Sequence, residues 1–219
     1  MHNELIKRIL SSLVLIPLCF FFIIKGSLFF NLFLIICFIL TSYEWYMMSK
    51  KKNYQLFGFF FLIVAFYTTY SLRNYFNDDS LLIFLLIIVI CISTDIGGYV
   101  FGKFFGGPKL TKISPNKTYS GMLGGYFLSI IIVYIFSFFY PILFVHNVQE
   151  FSLSTLLLII AISTASQIGD IIISYFKRLS KIKNTGNLIP GHGGILDRID
   201  GMIFAFPFSY IIFTFDILK

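Results

Sequence analysis

Asp170, Asp197 and Asp200 are the residues whose types and spacing could do chemistry together in this 219-residue chain. In Asp197-Arg198-Ile199-Asp200 the two acids stand three apart and share a face of any helix that forms there. Ser163, Gln167, Asp170, Ser174, Lys177, Arg178 and Lys181 recur at intervals of three and four, a single polar stripe along a helix. Its other face, with Ile171, Ile172, Ile173, Tyr175 and Phe176, is apolar. An ionisable side chain near the middle of an apolar span costs about 2.5–3.5 kcal/mol, so Asp170 calls for partner cations or a metal. Three carboxylates suit Mg²⁺, which takes a few acids and completes its shell with water and substrate phosphates. His192 has no second histidine at zinc-ligand spacing, and His2 and His146 carry no signal. The competing reading, ion pairs between these acids and Lys177, Arg178 and Arg198, stays open at this point.

Glycines and bases surround the acids. Gly191, Gly193 and Gly194 allow backbone N–H groups to approach phosphate oxygens. Lys177, Arg178, Lys181, Lys183 and Arg198 could neutralise phosphates, although basic clusters also serve as topology signals. His192 could be a general acid, a phosphate donor or only a loop residue. A second segment, 93–121, adds Asp95, then Lys109, Lys112 and Ser114-Pro115-Asn116-Lys117-Thr118. Asp95 could bind metal or nucleotide, or pair with a lysine. The Ser-Pro-Asn-Lys-Thr run lacks the GxxxxGK[ST] spacing of a phosphate loop. Gly121, Gly124 and Gly125 read as sites of close helix packing.

The elements that position these residues follow from composition. Hydrophobic residues make up 58% of the chain and charged ones 12%, about half the usual charged share of a soluble domain. The expected fold is all-α, a polytopic membrane helix bundle. Seven candidate spans cover 9–24, 27–46, 55–72, 80–101, 119–145, 152–176 and 201–217. No alternating barrel pattern appears. Sorting the loops by side puts all but Lys25, Arg73 and Lys219 of the 17 Lys and Arg on the side of the N-terminus. The positive-inside rule makes that side cytoplasmic. Lys7 and Arg8 open a retained first span rather than a cleaved leader, because no small-residue cleavage site follows. Cys19, Cys37 and Cys91 lie in apolar runs and read as small hydrophobes. The chain divides into N-terminal helices over 1–75 and a catalytic region over 76–219, with cytoplasmic loops at 93–121 and 177–200.

The run Ser174-x-Phe176-Lys177-Arg178, Lys183, Gly186, Ile189-Pro190-x-His192-Gly193-Gly194-Ile195-x-Asp197-Arg198-Ile199-Asp200 resembles the signature of phosphatidate cytidylyltransferases. Ser114-Pro115-x-Lys117-Thr118-x-x-Gly121 and Asp95 resemble that family's second cytoplasmic region. Two positions depart from the pattern. Asn184 stands where the family has Asp, and Ser120 where it has Glu.

The resemblance implies an Mg²⁺-dependent nucleotidyltransferase of phospholipid biosynthesis, with CTP and phosphatidic acid giving CDP-diacylglycerol and pyrophosphate. It implies a bacterial inner membrane location, an active site on the cytoplasmic side, and no nucleic-acid partner; a homodimer is left open. Asp170, Asp197 and Asp200 are expected to hold the metal, and Lys177, Arg178 and Arg198 to act with them on phosphates. Asp95, Lys117, Thr118, Ser174, Lys183, His192, Gly193 and Gly194 are expected at the substrates. A polyprenol or phytol kinase, or a transporter using Asp95 and Asp170, are the competing functions.

Overall fold

The structure is a computed structural model that describes residues 2–75, 80–139, 152–189, 191 and 193–217, with side chains from residue 10 onward. Its elements in chain order are α1 (His2–Lys25), α2 (Ser27–Ser49), α3 (Gln55–Asn74), α4 (Ser80–Phe105), α5 (Tyr119–Phe139), α6 (Leu153–Leu179), the single turn α7 (Leu196–Ile199) and α8 (Met202–Thr214). Two isolated bridges, Lys109 with Thr118 and Ile189 with Gly193, are the β pairings among the described residues.

α2 to α6 are each long and apolar enough to cross a membrane, and shorter apolar helices cover Leu10–Lys25 and Met202–Thr214. Together these are the seven apolar segments of the sequence reading, and the chain is a multi-pass helical membrane protein. Residues 140–145 of the expected fifth span lie outside the described residues. The last span is shorter than expected. α8 ends at Thr214, with Pro207 inside it, and 13 residues of helix rise only about 20 Å.

Hydrogen bonds at the helix ends show which ends share a side. Arg73, near the end of α3, donates from Nε and Nη2 to the Ile23 carbonyl near the end of α1, at 3.1 and 2.8 Å. That satisfies a carbonyl left open at a helix C-terminus. At the opposite end, Ser180 after α6 donates to the Met48 carbonyl of α2 at 2.7 Å. The Ser180 hydroxyl also meets the Tyr54 hydroxyl before α3 at 3.1 Å. The ends of α2 and α6 therefore lie on one side, the one that the loop charges assign to positive residues.

The outer surface is apolar, with Leu56, Phe57, Phe60 and Phe104 all widely exposed, as a lipid-facing belt requires. Inside, Phe30, Leu72, Phe84, Ile87, Ile90, Ile159, Ile162 and Phe206 form one buried cluster. Trp45, Met48, Leu62, Ala65, Ile173, Leu196 and Ile203 form a second, which reaches the turn α7.

α4 and α5 make an unusually close hairpin because glycines line the seam. A side chain at Gly97 would run into the Gly124 carbonyl, and one at Gly121 into the Gly98 carbonyl. Gly121 and Gly124 thus have the packing role expected of them. The connecting loop closes with Leu110 N–H donating to the Lys117 carbonyl at 2.8 Å. The Thr118 hydroxyl then accepts from Gly121 N–H at 3.1 Å, an N-cap for α5.

Candidate active site

The polar stripe of α6 is where the bundle gathers its ionisable groups. Near the buried part, the Thr94 hydroxyl of α4 donates to Ser163 at 2.8 Å, and Gln167 reaches the Met122 carbonyl of α5 at 3.5 Å. One turn on, Asp170 pairs with Lys117 from the loop before α5. The Ser174 hydroxyl donates to the same carboxylate at 3.3 Å. The stripe thus places Asp170, Ser174 and Lys177 along one wall, and the hairpin supplies Lys117 from the facing wall.

Lys177 is the hub of the deeper half. Its Nζ lies 3.0 Å from Asp197 Oδ1 and 3.6 Å from Asp200 Oδ2. The single turn α7 puts these two acids on the same face, as the spacing of three requires. All three side chains are largely covered, at 11%, 8% and 14% exposure. A charge so withdrawn from water survives only when paired.

Asp197 does more than meet Lys177. Its second oxygen accepts from Thr185 N–H at 2.8 Å and from Gly194 N–H at 3.1 Å. It therefore ties the two halves of the loop 180–195 to α7. Gly193 has φ +91°, and a side chain there would press on Asp197 Oδ2. This gives the glycine run a reason besides the phosphate approach read from the sequence: it clears space for a carboxylate of the protein itself.

Glu44, absent from the sequence reading, is the second anchor of this loop. It is 2% exposed, near the C-terminal end of α2. Oε1 accepts from Ile195 N–H at 2.9 Å, and Oε2 accepts from Leu196 N–H at 2.8 Å and from the Thr185 hydroxyl at 2.9 Å. The two amides open α7, so a carboxylate caps its first turn. The signal was present in the sequence, since Glu44 is the one charged residue within α2.

The other expected residues are distributed less tightly. Asp95 stands on α4, and the charges of Lys117 and Arg198 both reach it. Arg198 is exposed. Arg178 is also exposed and donates to the Ile182 carbonyl at 3.3 Å, a C-terminal contact of α6 rather than a place beside the carboxylates. Lys183 is exposed on the loop surface. Thr118 serves as a helix cap, as above. Ser120, one of the departing positions, spends its hydroxyl on the Gly106 carbonyl. Asn184 is exposed. His192 lies outside the described residues.

Among the described residues, no three His, Cys, Asp or Glu side chains already converge as a metal-binding group. Asp170 is engaged by Lys117, and both oxygens of Asp197 are taken. The donor chemistry nevertheless fits a divalent cation. Burial and the negative charge of Asp170 together raise Asp200 from its ordinary 3.8 to about 7, against the pull of Lys177. Asp95 adds to the rise and Lys117 opposes it. Asp95, Asp170 and Asp200 lie within electrostatic reach of one another, with Lys117 and Lys177 among them. Carboxylate oxygens are the hard donors that Mg²⁺ takes.

The sequence profile of the Cytidylyltransferase family matches residues 6–80 and 57–216, which is most of the chain. Among named relatives, a phosphatidate cytidylyltransferase of Rickettsia bellii is 43% identical over 123 residues, covering 55% of this chain and 52% of that protein. One of Bacillus subtilis is 40% identical over 123 residues, covering 55% and 43%, and one of Staphylococcus haemolyticus is 41% identical, covering 54% and 44%. The chain thus matches about half the length of these relatives, or somewhat less. With a matching profile over most of its length and the acids and lysines of the signature gathered at one end of the bundle, the chain belongs to the cytidylyltransferase family.

Proposed function

We propose that this protein is a phosphatidate cytidylyltransferase, joining CTP to phosphatidic acid to give CDP-diacylglycerol and pyrophosphate. The observation that carries the reading is the cluster of Asp95, Asp170, Asp197 and Asp200 with Lys117 and Lys177 at one end of an apolar bundle. Phosphatidate is held in the bilayer and CTP is a water-soluble polyanion, so their reaction needs charged groups at the membrane surface. The excess of positive loops at that end supports a cytoplasmic site, and a bacterial inner membrane is the membrane proposed.

In the reaction, an ionised oxygen of the phosphatidate phosphate attacks the α-phosphorus of CTP. The bond from that phosphorus to the bridging oxygen of the β-phosphate breaks, and pyrophosphate leaves with the electron pair. The attacking oxygen is already ionised near neutral pH, so no strong base is required. Catalysis then rests on positioning and charge stabilisation. Lys117 and Lys177, with Arg198 at the rim, would take the phosphates. Asp170, Asp197 and Asp200 would hold Mg²⁺, which when bound supplies charge neutralisation between the two polyanions.

The test is release of pyrophosphate by the purified full chain in lipid vesicles supplied with CTP, phosphatidate and Mg²⁺. Stoichiometric pyrophosphate and CDP-diacylglycerol support the proposal. A phosphorylated lipid with CDP, and no pyrophosphate, would identify a lipid kinase instead.

A further inference from the structure

Glu44 stands outside the chemistry just described, yet its surroundings are built around it. It comes from α2, in the N-terminal half, and all three of its donors lie 141 to 152 positions away in the signature loop. Three consecutive amides, those of Gly194, Ile195 and Leu196, are divided between Asp197 and Glu44. Thr185 joins the two acids, its amide on Asp197 and its hydroxyl on Glu44. A side chain at Gly186 or Gly194 would collide with the Glu44 carboxylate. The glycines of the signature are therefore matched to an acid far away in sequence.

We propose that Glu44 is a positioning residue for the cluster: it holds the peptide run 194–196, and through that run fixes the direction in which Asp197 presents itself to Lys177. The inference rests on the reading of this cluster as the site of cytidylyl transfer. It makes α2 part of the active-site support rather than a membrane anchor beside it. A buried acid in a membrane helix requires compensation, and Glu44 finds it only in the folded loop. The loop in turn has an acceptor for each of these amides only if Glu44 presents two acceptor oxygens. Glutamine cannot reproduce this, because its amide nitrogen would face the N–H of either Ile195 or Leu196.

The experiment compares wild type, Glu44→Gln, Thr185→Val and Thr185→Ser as full chains in vesicles. It reads kcat per folded molecule well below the melting temperature, KM for CTP, and deuterium exchange over peptides covering 184–200. Glu44→Gln should lower kcat about 10- to 100-fold, the usual effect of removing a supporting partner of a functional ligand. KM for CTP should change little, and 194–197 should exchange faster. Thr185→Val should fall between the two, and Thr185→Ser should restore the wild-type values. A Glu44→Gln protein with wild-type kcat per folded molecule overturns the proposal, even if it melts earlier. Wild type without pyrophosphate release strikes the functional reading instead. In that case faster exchange at 194–197 in Glu44→Gln keeps the anchor, and unchanged exchange removes it.

Discussion

Lys177 and Asp197, 20 positions apart in the chain, meet at 3.0 Å in a setting where neither is more than about a tenth exposed. The pair locks the end of α6 to the turn before α8. Because Asp200 lies at 3.6 Å from the same ammonium, one cation holds two acids together.

Replacing Lys177 by methionine therefore leaves two carboxylates facing each other without a counter-charge. Removing one member of a buried ion pair costs about 3–5 kcal/mol. The expected result is a lower melting temperature together with loss of turnover, read by a thermal melt and a pyrophosphate assay on the detergent-solubilised protein. Retained turnover in Lys177→Met would rule out the hub role.

Asp197→Asn should abolish turnover while leaving membrane insertion intact. The amide nitrogen would face either Lys177 or the N–H groups of Thr185 and Gly194, and leaving a buried donor unsatisfied costs about 1–3 kcal/mol. Membrane fractionation with an activity measurement separates the two effects. Wild-type rates from Asp197→Asn would count against any part for this acid in the chemistry.

Lys117 and Asp170 are each about a quarter to a third exposed, and exposed pairs contribute only about 0–1 kcal/mol to stability. Lys117→Met should accordingly melt almost where wild type does, yet lose most of its activity, because the lysine faces the site from the α4–α5 hairpin. A large fall in melting temperature with normal turnover would mean that the contact serves only to staple the hairpin to α6.

Asp200 carries a pH signature. Its carboxyl is raised to about 7 by burial and by Asp170, so the folded protein retains a proton that the unfolded chain has released. That contribution to stability is complete below the unfolded value near 3.8 and is lost as pH rises through about 7. Without divalent cation, the melting temperature should fall between about pH 5 and pH 8, and Asp200→Asn should flatten that slope. Added Mg²⁺ should bind more tightly at the higher pH, where it no longer competes with the proton. Thermal melts at several pH values with and without chelator would read all three effects.

Much of the site was legible in the sequence because it is local. The three-and-four spacing from Ser163 to Lys177 became one wall of α6, and Asp197 and Asp200 fell on one face of a single turn. Gly121 and Gly124 packed against α4 as small residues in a span are expected to. Arg178 fits less well: the same basic run that suggested phosphate contacts gives it an exposed position at the end of α6, on the Ile182 carbonyl. Glu44 was missed for a physical reason. Two of its three partners are backbone amides, which look alike at every position, and all lie more than 140 residues away. Only its isolation in an apolar helix marked it.

The brevity of α8 bears on the surrounding lipid. A rod of 13 residues falls about 10 Å short of a hydrocarbon slab about 30 Å thick. Hydrophobic mismatch of that size favours a dimple in the leaflet or a sunken helix end. Since α8 starts two residues after Asp200, such a dimple would draw headgroups toward the carboxylates. Bilayers of graded acyl length offer a direct gauge, with turnover falling as the slab thickens and a flat response arguing against any such thinning.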